Sequence, residues 1–472
     1  MSNRENLKNT KILVVGFGKS GMAAAQALLK LGAAVSVQDS KPEEEFDPNV
    51  LTFFRNQGVE FYLGTLPLKI EAFDMLVLSP GVSPELDFIS DAVKTGTELA
   101  GELEIAYRIG KGNYIAITGT NGKTTVTSLV GEIFELSGRK TSVVGNIGVA
   151  AISASAESEE GDWLVTECSS FQLETTRYFK PAVSAILNLT PDHLNRHHSM
   201  SAYGKAKAKI FANQTENEYL VINKDDADCY RLAAECKAKV VPFSTKEELN
   251  AGVFVENEKV VIADFDGSRT TVCALNDIRI IGEHNISNVV AAAGICYFAG
   301  IDAEIIATGI RAFNGVEHRI EYCGEYDGVR YYNDSKGTNT AAAITAIKAV
   351  NKNIILIAGG DGKEQDFSSL ADELAGRVKK LVLLGRDAEL IENAANEAGF
   401  YDCVRCGDMR ECVEKASEIS AEGDCVLLSP ACASWDMYDN YEQRGEHFKR
   451  CLCRSEERRV GKECRSRWSP YH

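Results

Sequence analysis

Residues 115–126 read IAITGTNGKTTV: an apolar run, a tight Gly119-Thr120-Asn121-Gly122 turn, then Lys123, Thr124 and Thr125. Small residues let backbone N–H groups close on phosphate oxygens, and a helix starting at the lysine adds the positive end of its dipole. Lys123 can neutralise the terminal phosphates of a nucleotide, and the Thr124 hydroxyl can ligate Mg²⁺. The commonest phosphate-loop spacing has glycine six residues before the lysine, where this chain has Ile117, so the loop is shorter than that pattern. A purely structural glycine turn is the alternative; Lys-Thr-Thr directly after the turn favours phosphate.

Other polar turns follow apolar runs. Gly16-x-Gly18-x-x-Gly21, with Asp39 closing the next run, fits a dinucleotide fingerprint and also fits a plain strand–helix turn. A nucleotide diphosphate accommodates both loops, with Lys19 and Ser20 near the diphosphate and Asp39 on a ribose or base edge. Glu167-Cys-Ser-Ser-Phe-Gln-Leu-Glu174 sets a carboxylate at the end of a run, placed for Mg²⁺, while its serines suit a helix cap. Asn188-Leu-Thr-Pro-Asp-His193 offers an Asp-His pair for a second cation. Lys205, Lys207 and Lys209 cannot share one helical face, and on the residues alone they read as a solvated basic helix. Three more small-residue turns, 333–339 (NDSKGTN), 359–363 (GGDGK) and 429–434 (SPACAS), each follow an apolar run and should line one sheet edge suited to an anionic substrate.

The elements that must position these residues alternate strand and helix. Strands are expected at 11–15, 35–38 and 75–78, with a break near 99–102; at 163–168, 185–188, 219–223 and 240–243, then a small antiparallel patch over 253–275; and at 329–332, 354–358, 381–384 and 426–429. This is α/β architecture with three units in tandem. A length of 472 residues, 44% hydrophobic and 25% charged, supplies ample core for that. The net charge of −17 argues against a nucleic-acid or anionic-membrane surface. No apolar run is long enough to span a membrane, and MSNRENLKNTK has no apolar signal core, which points to the cytoplasm. The 14 cysteines lack the spacing of a disulfide framework, and Cys403-x-x-Cys406 has no second ligand pair for zinc, so they read as reduced structural thiols. Residues 454–472 (RSEERRVGKECRSRWSPYH) are basic, without helical periodicity continuing from the segment before, and resemble a sequencing adapter translated in frame. Native sequence is expected to end near 453; without the tail's six Lys/Arg and three Asp/Glu the net charge is −20. Resequencing the source locus across this codon decides the point.

Together these residues resemble the Mur ligases of peptidoglycan synthesis, over about residues 11–450. The loop 118–124 marks the superfamily, which includes folylpolyglutamate synthases. The 169–174, 333–336 and 429–436 segments are similar to the D-glutamate-adding branch, the Asp-Asn-Pro-Arg motif of the diamino-acid-adding branch is absent, and 359–363 stands at the glutamate branch's position. The resemblance implies a Rossmann-like N-terminal domain (1–101) that binds a UDP substrate rather than NAD, a P-loop-type central ATPase domain (102–315) and a Rossmann-like C-terminal domain (316–453) ending in a helix over 436–453. It implies ATP-dependent ligation of D-glutamate to UDP-N-acetylmuramoyl-L-alanine by a cytoplasmic monomer, in cell-wall synthesis that serves cell shape and division.

Carried over by position, Gly119, Thr120, Asn121, Gly122, Lys123, Thr124, Thr125, Asn285, Asn288, Arg319, Asp334 and Lys336 match ATP contacts, Arg319 also stabilising transferring charge. Thr124, Glu167 and His193 match Mg²⁺ ligands, and Lys207 matches a lysine that CO₂ converts to a carbamate, which overrides its reading as a solvated side chain. Gly18, Lys19, Ser20, Asp39, Ser40, Gly81 and Asn146 match contacts to the UDP substrate. Lys336, Thr338, Lys363, Ser434 and Tyr441 match the D-glutamate pocket, with Tyr441 standing where phenylalanine is expected.

Overall fold

The computed structural model describes residues 6–350, 352–362 and 365–460. The chain forms two compact units, one from the chain up to Asp277 plus Ile286–Arg311, the other from Ile278–Asn285 plus the chain from Ala312 onward. The first unit contains two sheets and the second unit one.

The first sheet is parallel throughout: β1 (Lys11–Val15), β2 (Ala34–Asp39), β3 (Glu60–Leu63), β4 (Met75–Leu78) and β5 (Glu98–Gly101), in the order β3-β2-β1-β4-β5. Strand alternation divides its residues between two cores. Ile12 and Val14 pack with Ala24, Ala25 and Leu28 of the helix Lys19–Lys30, and Leu13 and Val15 join Leu76, Leu78 and Ile89 on the other face. The break expected near 99–102 is instead β5, an edge strand whose four residues, Glu-Leu-Ala-Gly, are too few to show a period.

The turn after β1 is held tightly. Gly16 has φ +88°, its carbonyl accepts the Ser79 hydroxyl at 2.8 Å, and a Cβ on Gly21 would lie 1.9 Å from that same carbonyl. Gly21→Ala must therefore push the helix off the strand. We expect a loss of stability at the upper end of the ~1–3 kcal/mol usual for overpacking, read by urea denaturation; an unchanged midpoint would contradict the close approach.

The second sheet has β6 (Asn113–Thr118), β7 (Thr141–Gly145), β8 (Trp163–Glu167), β9 (Val183–Ile186), β10 (Tyr219–Asn223), β11 (Lys239–Ser244), β12 (Gly252–Glu256), β13 (Lys259–Ala263) and β14 (Arg269–Ala274). Their order is β14-β13-β12-β11-β10-β9-β6-β8-β7, antiparallel only from β12 outward. The antiparallel patch expected over 253–275 is thus an extension of the central sheet. The helix Glu102–Ile109 is almost wholly buried, and its Leu103, Ile105 and Ala106 belong to one apolar cluster with Ile12 of the first sheet and Tyr114 of the second.

The third sheet contains β15 (Glu321–Tyr326), β16 (Val329–Asn333), β17 (Ile354–Ala358), β18 (Val378–Leu383), β19 (Cys403–Arg405) and β20 (Cys425–Leu428), in the order β15-β16-β20-β17-β18-β19. Only the β15–β16 pair is antiparallel. The last helix runs Tyr441–Val460, starting later than expected at 436 and continuing past 453, where periodicity was expected to stop. Its start is delayed because Ser434–Tyr438 forms a turn, the N–H groups of Met437 and Tyr438 both donating to the Ser434 carbonyl. Its extension follows from the Arg and Glu of Arg454–Val460, which favour helix without an apolar stripe.

The cysteines from Cys168 to Cys451 are free, and burial raises the thiols of Cys168, Cys403 and Cys406 above their ordinary range. Among the described residues, no helix is long and apolar enough to cross a membrane.

Candidate active site

In the first unit the phosphate-type loop lies at the C-terminal end of β6, flanked in the sheet by β8 and β9. Gly122, at φ +81°, precedes the helix Lys123–Leu136, which brings Lys123, Thr124 and Thr125 into its first turn. A Cβ on Gly122 would lie 2.3 Å from the Asn288 side-chain oxygen, so glycine lets Asn288 approach the loop. The loop is laced to the chain after β9: the Asn121 N–H donates to the Asn188 side-chain oxygen at 2.8 Å, and the Thr120 hydroxyl donates to the Thr190 carbonyl at 3.1 Å. The expected strand 185–188 ends at Ile186 because Asn188 turns away to make these bonds.

Two lysines converge on this loop. Lys123 Nζ donates to the Gly119 carbonyl at 2.9 Å, and Lys207 Nζ donates to the same carbonyl at 2.8 Å. Lys207 lies in the helix Met200–Ala208 and is 1% exposed, which corrects the reading of that helix as solvated. Its spacing from Lys205 and Lys209 is what separates them: Lys205 faces solvent, while Lys207 turns inward over the Tyr203 ring, 4.5 Å from its centroid. Burial, reinforced by the Lys123 charge, brings Lys207 down to about 7.

Glu167 ends β8 and is 1% exposed. Its Oε1 accepts from Asn146 Nδ2 at 2.8 Å, and its buried Oε2 has no protein partner. An orphaned carboxylate oxygen in the same row of strand ends as a phosphate-type loop suits a hard divalent cation. His193 is half-exposed, at φ 52°, its ring 4.9 Å from that of Phe171. Glu317, His318 and Glu446 of the second unit also come close enough for a cation, but Lys449 Nζ already lies 2.6 Å from both glutamates.

At the C-terminal edge of the first sheet, Gly18, Lys19 and Ser20 follow β1, Asp39 and Ser40 close β2, and Gly81 follows β4, on three adjacent strands. Asp39 accepts the Phe17 N–H at 2.6 Å and the Lys41 N–H at 3.0 Å, so its carboxylate already shapes the turn.

In the second unit β16, β20 and β17 are adjacent, with Asn333 and Ile357 each in register with Leu428, so the turns 333–339, 359–362 and 429–434 share one edge. They touch closely: a Cβ on Gly360 would lie 2.3 Å from the Ala433 carbonyl. Asp334 is 5% exposed, accepts the Ser429 hydroxyl at 2.6 Å and the Ile320 N–H at 3.2 Å, and is pushed by burial to about 7 despite those bonds. Lys336 lies beside Tyr441, its Nζ 5.6 Å from the ring centroid. The Thr338 N–H donates to the Lys336 carbonyl, and Ser434 is 3% exposed. Asn285 Nδ2 donates to the Ile281 carbonyl at 2.7 Å. Arg319 is exposed between His318 and Ile320, both at positive φ (62° and 45°). Backbone in this region, above all at a β-branched residue, persists only where the surroundings impose it. Lys363 lies outside the described residues.

Sequence reading missed Arg444. It is 2% exposed, and its guanidinium donates to the Ser335 hydroxyl (3.0 Å) and carbonyl (2.8 Å) and to the Cys432 carbonyl (3.0 Å), bolting the first turn to the third. The available signal was its spacing of three from Tyr441, which puts both on one helical face.

Comparison with known proteins matches this layout. Family models for the Mur ligase MurD-like N-terminal domain, the Mur ligase middle domain and the Mur ligase glutamate ligase domain match residues 10–101, 117–296 and 318–432. Curated relatives named UDP-N-acetylmuramoylalanine--D-glutamate ligase are 44% identical over 449 residues in Thermoanaerobacter pseudethanolicus and 46% over 448 in Alkaliphilus oremlandii, covering 94% of this chain and 98% of each relative. The relative of that name in Clostridioides difficile is 46% identical over 446 residues, with the same coverage. The chain belongs to the Mur ligase family. Among solved Mur ligases, UDP-N-acetylmuramate-alanine ligase MurC from Thermotoga maritima superposes with a TM-score of 0.55 at 18% identity, covering 94% of this chain and 99% of that one. MurF from Acinetobacter baumannii gives 0.55 at 15%, covering 80% and 91%. At these identities the likeness is one of fold. The three-domain Mur ligase architecture thus accounts for the three sheets.

Proposed function

We propose that this Mur ligase joins D-glutamate to UDP-N-acetylmuramoyl-L-alanine at the expense of ATP, in cytoplasmic assembly of peptidoglycan precursors, as a monomer with no nucleic-acid or membrane partner. One observation carries the reading: the match, over 94% of the chain, to relatives bearing that activity in their name. We take the domains as 1–101 for the UDP substrate, 102–315 for ATP and 316–453 for D-glutamate.

The geometry supports a two-step amide synthesis. A carboxylate is a poor acyl donor until one oxygen becomes a leaving group. The terminal carboxylate oxygen of the alanyl substrate attacks the γ-phosphorus, ADP leaves, and an acyl-phosphate forms. The amine of D-glutamate then attacks the acyl carbon and loses its proton, and the tetrahedral adduct expels inorganic phosphate. Both steps concentrate negative charge, which pre-placed cations and N–H groups stabilise. Residues 119–125, with Asn288, Asn285, Asp334, Lys336 and Arg319, are assigned to ATP, and Lys123 to the transferring phosphoryl group. Mg²⁺, when bound, supplies a charge clamp on the phosphates; Thr124, Glu167, His193 and carbamylated Lys207 are the residues assigned to hold it. Gly18, Lys19, Ser20, Asp39, Ser40, Gly81 and Asn146 are assigned to the UDP substrate. Lys336, Thr338, Lys363, Ser434 and Tyr441 are assigned to D-glutamate.

The Lys207 carbamate has its own support. Two ammonium groups on one carbonyl repel each other, which favours release of a proton from Lys207; the neutral amine then adds CO₂ and releases a second proton, giving an anionic oxygen donor whose remaining N–H can still donate to Gly119.

The chemistry is tested with substrate carrying ¹⁸O in the alanyl carboxylate. One labelled oxygen is expected in the released phosphate for each amide formed. Unlabelled phosphate alongside amide product would rule out the acyl-phosphate route.

A further inference from the structure

The assignments above use Glu167 but leave Ser170, Phe171 and Glu174 of the same segment without a task. All three face the short helix Leu194–His197 that begins beside His193. The Glu174 carboxylate divides between two of its side chains: Oε2 accepts from Arg196 Nη2 at 2.8 Å, and Oε1 lies 3.2 Å from His197 Nδ1. His197 Nε2 then meets the Ser170 hydroxyl at 2.9 Å. This Ser-His-Glu chain has the connectivity of a hydrolase triad, but Ser170 is 3% exposed and is closed to an acyl substrate, so it fastens rather than reacts. The Phe171 ring packs against Arg196 (5.0 Å), His197 (5.4 Å, stacked) and His193 (4.9 Å).

The turn needs these fastenings. It is bounded by His193 and His198, both non-glycine residues at positive φ (52° and 62°), so local preference does not set its geometry. Arg196 also reaches the first sheet: the same Nη2 donates to the Val82 carbonyl at 3.1 Å, in the loop that carries Gly81 after β4. One guanidinium therefore joins the loop at the end of β4 to the segment that carries Glu167. Arg196 and Glu174 have side chains only 18% and 17% exposed, which keeps the pair partly desolvated.

We propose that Glu174 and Arg196 are positioning residues, a clasp that seats His193 and holds the β4 loop in register with the central sheet, so that the UDP substrate presents its carboxylate to the phosphate loop. The inference rests on the function proposed above. Both contacts come from the one Nη2, so a lysine at 196 keeps part of the clasp but loses the planar guanidinium that packs on the Phe171 ring.

The test is steady-state kinetics of the full chain and of Arg196→Ala, Arg196→Lys, Glu174→Ala and the Arg196→Ala/Glu174→Ala double variant, with KM measured separately for UDP-N-acetylmuramoyl-L-alanine and ATP. For Arg196→Ala we expect KM for the UDP substrate to rise at least about tenfold, kcat to fall, and KM for ATP to stay within about threefold. The double variant is expected to be no worse than Arg196→Ala alone, because both changes open the same clasp. Should Arg196→Ala fail to fold, Arg196→Lys is read in its place, with the same split at smaller size. Parallel rises in both KM values, an unchanged KM for the UDP substrate, or additive losses in the double variant overturn the clasp. A wild-type chain that ligates nothing from these substrates overturns instead the function on which it rests.

Discussion

Lys207→Ala is expected to lose at least about 10³-fold in kcat, roughly 4 kcal/mol of transition-state stabilisation, with no recovery in excess bicarbonate. The size follows from what the substitution removes: the anionic oxygen donor of the proposed carbamate, and an N–H on the Gly119 carbonyl. The wild type supplies a sharper readout, the pH dependence of carbamate formation. CO₂ reacts with the neutral amine, so reactivation of CO₂-stripped enzyme must follow deprotonation of Lys207. Burial first, and the neighbouring Lys123 second, lower that group to about 7. Its neutral fraction therefore rises as pH passes through 7 and is nearly complete by about pH 8, whereas an ordinary lysine would go on gaining to about 10.4. Stopped assays after bicarbonate addition at a series of pH values should show reactivation levelling off above pH 8. Full activity in Lys207→Ala would remove the carbamate from the account.

Glu167→Gln should separate stability from function. The carboxylate is 1% exposed with one oxygen unpartnered, an arrangement that costs folding roughly 1–3 kcal/mol. Glutamine keeps the shape and an acceptor for Asn146 Nδ2 while removing the buried charge. Thermal unfolding without Mg²⁺ should then occur at the same temperature or higher. Ligation should fall by about 10²–10³-fold, and the stabilisation that Mg²⁺ with ATP confers on the wild type should shrink. A variant that unfolds early yet works normally would mean that Glu167 serves only the fold.

Much of this site could be read directly from strand ends. Each polar turn follows an apolar run, and parallel sheets put such turns on a common edge, so the neighbouring positions of 333–339, 359–362 and 429–434 follow from pattern plus topology. Two kinds of feature escaped that logic. Burial of a charged side chain leaves no periodic signal: Lys207 sits between two other lysines, and what marks it out is three-dimensional, since it turns inward onto the Thr118 hydroxyl and the Gly119 carbonyl at the end of β6. Arg444, in a polar helix of low mean hydropathy, is likewise buried, with neutral oxygens as its acceptors, two of them on Ser335 far from it in the chain. The second kind is local brevity. β5 and β19, at four and three residues, are strands because a neighbour pairs with them, not because their own sequence alternates.

The central claim is the identity of the joined amino acid, and phosphate release from ATP measures it most directly. With UDP-N-acetylmuramoyl-L-alanine present, D-glutamate should drive sustained release, matched one for one by amide product. L-glutamate, meso-diaminopimelate and L-lysine should leave release at background. Turnover with one of those amino acids and none with D-glutamate would contradict the assignment.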